Sequence, residues 1–238
     1  MSSKFKYILL FTISIITYCI IYYWANDITI QELDTHIPGP NVLIVGGTHG
    51  NEPAGTFAIE NLNFELKRGK IIMVPRANKL GLLLNTRYLP HKLLNRDLNR
   101  NYPREEGEFP LDFISSKICN LAKKADFIID LHEGWGYNLL TPESLGSGVY
   151  PGNTKEAIVL AHNTVDKLNE SISIPYKKFV VGLNNHPELK SLRNYCVLNN
   201  KNYILVETTG QNDIQPLHIR VQQHQFIIYS VLRNLKMI

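Results

Sequence analysis

The sequence predicts an α/β domain whose largely parallel sheet is covered by helices on both faces, preceded by one N-terminal transmembrane helix. Three observations predict it. Short apolar runs alternate with stretches of helical spacing from residue 41 onward, the first run is followed at once by a glycine-rich turn, and Tyr7–Trp24 is uncharged and mostly apolar throughout. Strands alternating with helices build parallel sheets with helices on both faces, and such sheets place ligand sites beyond the carboxyl ends of their strands.

The run Tyr7–Trp24 lies between Lys4 and Lys6 on one side and Asn26–Asp27 on the other. As a helix its 18 residues cover roughly 27 Å, a bilayer-spanning length. Tyr7, Tyr22, Tyr23 and Trp24 stand at its ends, where interfacial aromatics sit. The run is longer than a signal-peptide core and no A-x-A-like site follows it, which favours an uncleaved anchor. The flanking lysines place residues 1–6 in the cytosol and the remainder across the membrane. Residues 1–26 are thus expected to form an anchor, 27–40 a tether ending in Pro38-Gly39-Pro40, and 41–238 the globular domain.

Within that domain Asn41–Val45 reads as a buried strand, Pro53–Leu66 as a helix, Ile71–Val74 as a strand and Leu111–Lys123 as a helix. Asp126–Leu131 reads as a strand and Lys155–Leu168 as a helix. Lys178–Val181 fits an edge strand, Pro187–Leu198 a helix, Tyr203–Val206 a strand and Leu217–Leu235 a final amphipathic helix. The loop Asn85–Pro110 is rich in Arg, Asn and Pro, and loops of that length are often functional.

Composition excludes several classes. With 44% hydrophobic and 19% charged residues the chain is an ordinary globular protein rather than a disordered one. The net charge of +4 includes Lys4 and Lys6, and no basic run marks a nucleic-acid partner. Cys19, Cys119 and Cys196 are odd in number and lack C-x-x-C spacing, so neither a disulfide framework nor a cysteine zinc site is supported.

The chemistry begins where the first strand ends. Gly46-Gly47-Thr48-His49-Gly50-Asn51-Glu52 offers an imidazole and a carboxylate three residues apart in a strand-to-helix turn. Both are donor types that zinc accepts at about 2.0–2.2 Å, and a catalytic zinc takes three protein ligands with one position left open. Asp130-Leu131-His132 ends the third strand and supplies the third, completing a set of His49, Glu52 and His132. Either histidine alone would be read as structural; the pairing at two strand ends makes the pattern specific. Glu207, at the end of the strand Tyr203–Val206, stands where a carboxylate could accept a proton from an activated water.

These residues resemble a known family. The ordered motifs G-G-T-H-G-N-E, D-L-N-R-N-Y-P (Asp97–Pro103), D-L-H and V-E-T-T-G (Val206–Gly210) look like the zinc carboxypeptidase superfamily, especially its succinylglutamate desuccinylase/aspartoacylase branch. The resemblance implies a three-layer α/β/α fold with a mixed, mostly parallel sheet, one Zn²⁺ per chain, and hydrolysis of an amide bond next to a free carboxylate. It also implies that His49, Glu52 and His132 are the zinc ligands and Glu207 the general base. Asn99 and Arg100 would grip the substrate carboxylate, a role that suits the guanidinium fork. Arg87, in T-R-Y, is the expected oxyanion stabiliser, with Arg96 as the alternative. The mobile tyrosine of such carboxypeptidases would be Tyr150, Tyr176 or Tyr195. Asp130 is a candidate acceptor behind a metal histidine and Glu133 a rim residue. His36, His91, His162, His186, His218 and His224 have no partner spacing, and Cys119 is expected in the core.

Two enzyme readings follow, a metallocarboxypeptidase-like hydrolase of peptide-like substrates and a small-molecule N-acyl amino acid deacylase. The deacylases commonly add a C-terminal β-rich domain that narrows the entrance, whereas one predicted helix follows Glu207 here, and an anchored, exported enzyme meets peptides more readily than cytosolic metabolites. The first reading is therefore preferred. A catalytically dead binding module would lack a ligand or the base, and all are present.

Overall fold

The computed structural model describes residues 3–183 and 186–238, so Met1 and Ser2 of the expected anchor lie outside the described residues. The chain forms α1 (Ser3–Asn26), β1 (Gln31–Asp34), β2 (Asn41–Val45), α2 (Ala54–Glu60), β3 (Lys70–Val74), α3 (Lys79–Leu83), α4 (Phe113–Lys124) and β4 (Phe127–Gly134). It continues with β5 (Gly148–Pro151), α5 (Lys155–Glu170), β6 (Val180–Val181), α6 (Leu192–Leu198), β7 (Asn202–Thr209) and α7 (Leu217–Asn234). The strands make one sheet in the order β1-β3-β2-β4-β7-β5-β6. β3-β2-β4-β7 are mutually parallel, β1 joins β3 and β5 joins β7 antiparallel, and β5 and β6 pair in parallel. The sheet is mixed and mostly parallel, as the resemblance implied.

Alternation along the central strands builds two separate cores. Leu43, Val45, Ile72, Val74, Ile128, Tyr203 and Leu205 face α4 and α6, while Val42, Ile44, Ile71, Met73, Ile129, Ile204 and Val206 face α2, α5 and α7. Helices therefore cover both faces, and the three-layer architecture follows from period-two patterning in strands buried on both sides.

Several boundaries differ from the sequence expectation for physical reasons. α2 stops at Glu60, because Leu62, Phe64 and Leu66 pack on the core at every second residue, as extended chain does. α6 begins only at Leu192, where the Ser191 hydroxyl accepts from the Asn194 amide as an N-cap. Part of the expected tether is a strand: β1 is exposed at every residue and carries no alternating signature, yet it pairs with β3 from Gln31↔Met73 to Asp34↔Lys70.

α1 projects from the domain with its apolar side chains exposed. Among the described residues it is the one helix long and apolar enough to cross a membrane. Its last turn is tied down: Ala25, Asn26 and nearby Ile28 are buried, the Tyr22 ring meets His91 edge-on at 5.8 Å, and the Lys79 ammonium sits 5.8 Å from the Trp24 ring.

Candidate active site

β2 runs into a turn that only glycine permits at two positions. Gly47 has φ +65°, and a Cβ on Gly50 would lie 1.9 Å from the carbonyl carbon of Gly81. This tight passage brings His49 and Glu52 to the carboxyl end of the sheet. His132 arrives from β4 on the same side as Ile128 and Asp130, facing α4 and α6. Glu207 is its register partner on β7 and shares the parity of Tyr203 and Leu205.

The three candidate ligands meet in a buried triangle. His49 Nδ1 is 2.8 Å from Glu52 Oε1, His132 Nδ1 is 2.9 Å from Glu52 Oε2, and the two Nδ1 atoms are 3.2 Å apart. A tetrahedral zinc site with ligand bonds of the usual length has donor-to-donor edges of about 3.3 Å, close to this spacing.

The surroundings also suit a cation. Burial alone would raise the Glu52 carboxyl, but the charges of His49 and His132 hold it far below the usual carboxylate range. Burial disfavours a charged His132, yet Asp130 and Glu52 outweigh it and push the imidazole well above its ordinary value. Glu207 is pushed up to about 8, chiefly by burial and further by Glu52 and Asp130. Glu52 and Asp97, both held well below the usual carboxylate range, touch the two imidazoles directly, a donor set that suits a divalent ion. The residues present fit a zinc ion.

Outer partners orient the triangle. His49 Nε2 is 3.1 Å from Asp97 Oδ1, and Asp97 Oδ2 accepts from Arg87 Nε and Nη2, both at 3.1 Å. Arg87 Nη1 reaches Glu52 Oε1 at 3.4 Å, and Gln211 Nε2 donates to the same oxygen at 3.0 Å. Asp130 Oδ1 lies 3.3 Å from His132 Nε2 without hydrogen-bond alignment, so both atoms remain unsatisfied, while Asp130 Oδ2 accepts from the Tyr203 hydroxyl at 2.8 Å. A carboxylate behind a ligating histidine fixes its tautomer and strengthens it as a donor.

His49, Glu52 and His132 open onto a cavity of about 240 Å³ that is also lined by Arg87, Asn99, Arg100 and Glu207. Asn99 Oδ1 accepts from the Leu192 amide at 3.0 Å, and Arg100 Nη1 donates to the Asn99 carbonyl at 2.7 Å. Four stretches of chain far apart in sequence therefore converge on one cleft.

Comparison with known proteins agrees with this geometry. Residues 38–140 match the succinylglutamate desuccinylase/aspartoacylase catalytic domain family. The likeness to that catalytic domain thus covers β2 through β4, the stretch that carries His49, Glu52 and His132. An N-alpha-acetyl-L-2,4-diaminobutyric acid deacetylase of Halomonas elongata is 30% identical over 105 residues, covering 40% of this chain and 29% of the deacetylase. Tripeptide-bound Cell Shape Determinant Csd4 of Helicobacter pylori shares the fold with a TM-score of 0.75 at 22% identity, over 89% of this chain and 56% of that one. A succinylglutamate desuccinylase/aspartoacylase of Rhodobacter sphaeroides aligns with a TM-score of 0.62 at 22% identity, over 89% and 60% of the two chains. The chain thus spans less than two thirds of each of these relatives.

Against the expectations from the sequence, some residues fall elsewhere. Arg96 is exposed, its guanidinium 5.2 Å from the Tyr88 ring, and it does not line the cavity. Glu133 is among the residues lining the cavity, yet its side chain is buried rather than exposed at the rim. It has the opposite parity to His132, points beneath the sheet, accepts from the Ala54 amide at 2.7 Å and pairs with buried Arg220. Tyr150 donates to the Leu145 carbonyl, Tyr195 reaches the Cys119 carbonyl, and Tyr176 packs on Tyr137; none of the three lines the cavity. Cys119 is buried, as expected. His224 is a buried histidine beside Thr208, pushed down to about 3 by burial. His186, which had no partner spacing in the sequence, lines the cavity with Trp135 and Arg193.

Removing one partner of a buried ion pair strands the other, at a cost of about 3–5 kcal/mol. Arg220→Met should therefore lower the free energy of unfolding by about that amount in urea titrations. A loss below about 1 kcal/mol, the range of a surface pair, would show that Glu133 is not held by this contact.

Proposed function

We propose that the chain is a zinc-dependent hydrolase that cleaves an amide bond adjacent to a free carboxylate, in the manner of a metallocarboxypeptidase. The observation that carries this reading is the convergence of the His49–Glu52–His132 triangle, Glu207, Arg87 and the Asn99–Arg100 pair on one cavity. When bound, zinc lowers the pKa of water to about 7 and polarises the scissile carbonyl. Glu207 accepts the proton of the attacking water and passes it to the departing amine, a task suited to a carboxyl whose proton affinity burial has raised. Arg87, held by Asp97, offers its Nη1 edge to the oxygen that gains negative charge. Asn99 and Arg100 hold the substrate carboxylate. The expected boundaries enter this proposal too: α1 as membrane anchor, with the cavity on the non-cytosolic side.

The second reading, an N-acyl amino acid deacylase, is favoured by the deacetylase relative; the carboxypeptidase reading is supported by the higher fold similarity to a protein that binds a tripeptide. Parallel assays of peptides with free C-termini against N-acetyl-aspartate and N-succinyl-glutamate separate them. Turnover of the small amides alone would reverse the preference.

Arg100→Ala should raise KM for free-acid substrates by roughly 10- to 100-fold, the worth of one charge-assisted contact. C-terminally amidated substrates should change little. Equal losses on both would remove Arg100 from carboxylate binding.

A further inference from the structure

The domain exposes large apolar side chains on the segments that surround the end of α1. Leu93 is 95% exposed, Phe109 83% and Leu94 80%, with Leu83, Phe113 and Leu84 also well over half exposed. Large apolar side chains this exposed, on three segments that each border the end of α1, point to a partner. Their position names the partner. His91 meets the Tyr22 ring, and since successive Cα atoms are 3.8 Å apart, the Cα atoms of Leu93 and Leu94 lie within about 8 and 11 Å of the His91 Cα. Lys79, in contact with Trp24, opens the five-residue helix that ends at Leu83, so Leu83 and Leu84 are about 6–8 Å further along. Phe113 lines a groove directly with Tyr22, Tyr23 and Trp24, and Phe109 lies four residues before it, at most about 15 Å away.

If α1 spans a bilayer, Tyr22–Trp24 occupy the interfacial layer, where such aromatics are enriched. Side chains tied to that end of α1 by one or two short steps of chain are then close enough to reach the headgroup layer. We propose that the face carrying Leu83–Leu84, Leu93–Leu94 and Phe109–Phe113 is seated in the headgroup and upper acyl layer of the bilayer that α1 crosses. This inference rests on the anchor reading. The domain is then not suspended on a tether but held against the lipid surface by apolar insertion, as interfacial elements are. The buried last turn of α1 and the pairing of Lys117 with Asp27 at 2.8 Å keep the domain in that attitude.

The test uses the full chain in phosphatidylcholine/phosphatidylglycerol liposomes. Cys119 and Cys196 are buried and Cys19 is exposed on α1, so an environment-sensitive fluorophore on wild-type Cys19 reports the span. Leu93→Cys in a Cys19→Ser background reports the face, at a position that loses no packing. Cys19 should be quenched by lipids with a deep nitroxide. The label at 93 should be blue-shifted, quenched by shallow nitroxide lipids and shielded from iodide. Quenching at Cys19 with free iodide access at 93 would overturn the seated face and leave the anchor standing, whereas no lipid quenching at Cys19 would refute the anchor itself. Shielding at 93 from both quenchers that vanishes as protein is diluted in lipid would mean that a second copy covers the face, and would equally overturn the proposal.

Discussion

Glu207→Gln is expected to keep one equivalent of zinc and to lose turnover by roughly 10²- to 10⁴-fold, the range set by general acid–base catalysis. The substitution preserves side-chain volume and removes only the ability to take a proton. It should not unfold the protein, because a neutral amide is easier to bury than the carboxylate whose ionisation burial already opposes. The pH profile carries the sign. In the proposed role Glu207 acts as a base only when deprotonated, so kcat/KM should rise with pH as it ionises. Burial pushes that ionisation up to about 8, and a cation held by His49, Glu52 and His132 favours the carboxylate and draws it back down. The acid limb of the wild-type profile should thus lie below 8 but above the ordinary glutamate value near 4.3, and it should be absent from the residual activity of the Gln variant. Wild-type kcat in that variant would exclude Glu207 from the mechanism.

Much of this site is legible in the chain because strand ends are. An apolar run followed by a donor residue announces a side chain at the carboxyl edge of a sheet, and His49, His132 and Glu207 all satisfy that pattern. Parity could have gone further. His132 and Glu133 are adjacent in a strand buried on both faces, so they must point to opposite sides, and only one of them can join the metal site. The aspartate of D-L-N-R carried a signal as well: a ligating histidine needs an acceptor for its second nitrogen, and Asp97 sits two residues before Asn99. Other parts left no trace. Gln211 reaches Glu52 from a short 3-10 turn in which Asn212 and Asp213 both have positive φ, a conformation that no local pattern announces. β1 has no apolar alternation because it is an exposed edge, and β5 is four residues that begin with a glycine and end with a proline. His186 enters the cavity from the loop before α6 and Arg193 from the first turn of α6, positions that look like ordinary surface in the sequence.

His132→Ala should abolish stoichiometric zinc, and the reason lies in the proton inventory of the metal-free triangle. Two Nδ1 atoms 3.2 Å apart both face Glu52, and in the metal-free protein the His132 ring favours its charged form, with an added proton. Asp130 and Glu52 hold that proton on His132 well above its ordinary range. A metal ion takes the proton's place, so zinc binding by the metal-free wild type should release about one proton at pH 7. Calorimetric titrations in buffers of different ionisation enthalpy measure that release directly. The same binding should stabilise the fold, by about 2.7 kcal/mol when free zinc is 100-fold above Kd. His132→Ala should show neither proton release nor zinc-induced stabilisation, whereas His36→Ala, an exposed residue away from the cavity, should show both. One equivalent of zinc retained by His132→Ala in elemental analysis would mean that the buried triangle is an ionic network of the apo fold and that the metal, and the hydrolysis it supports, must be sought elsewhere.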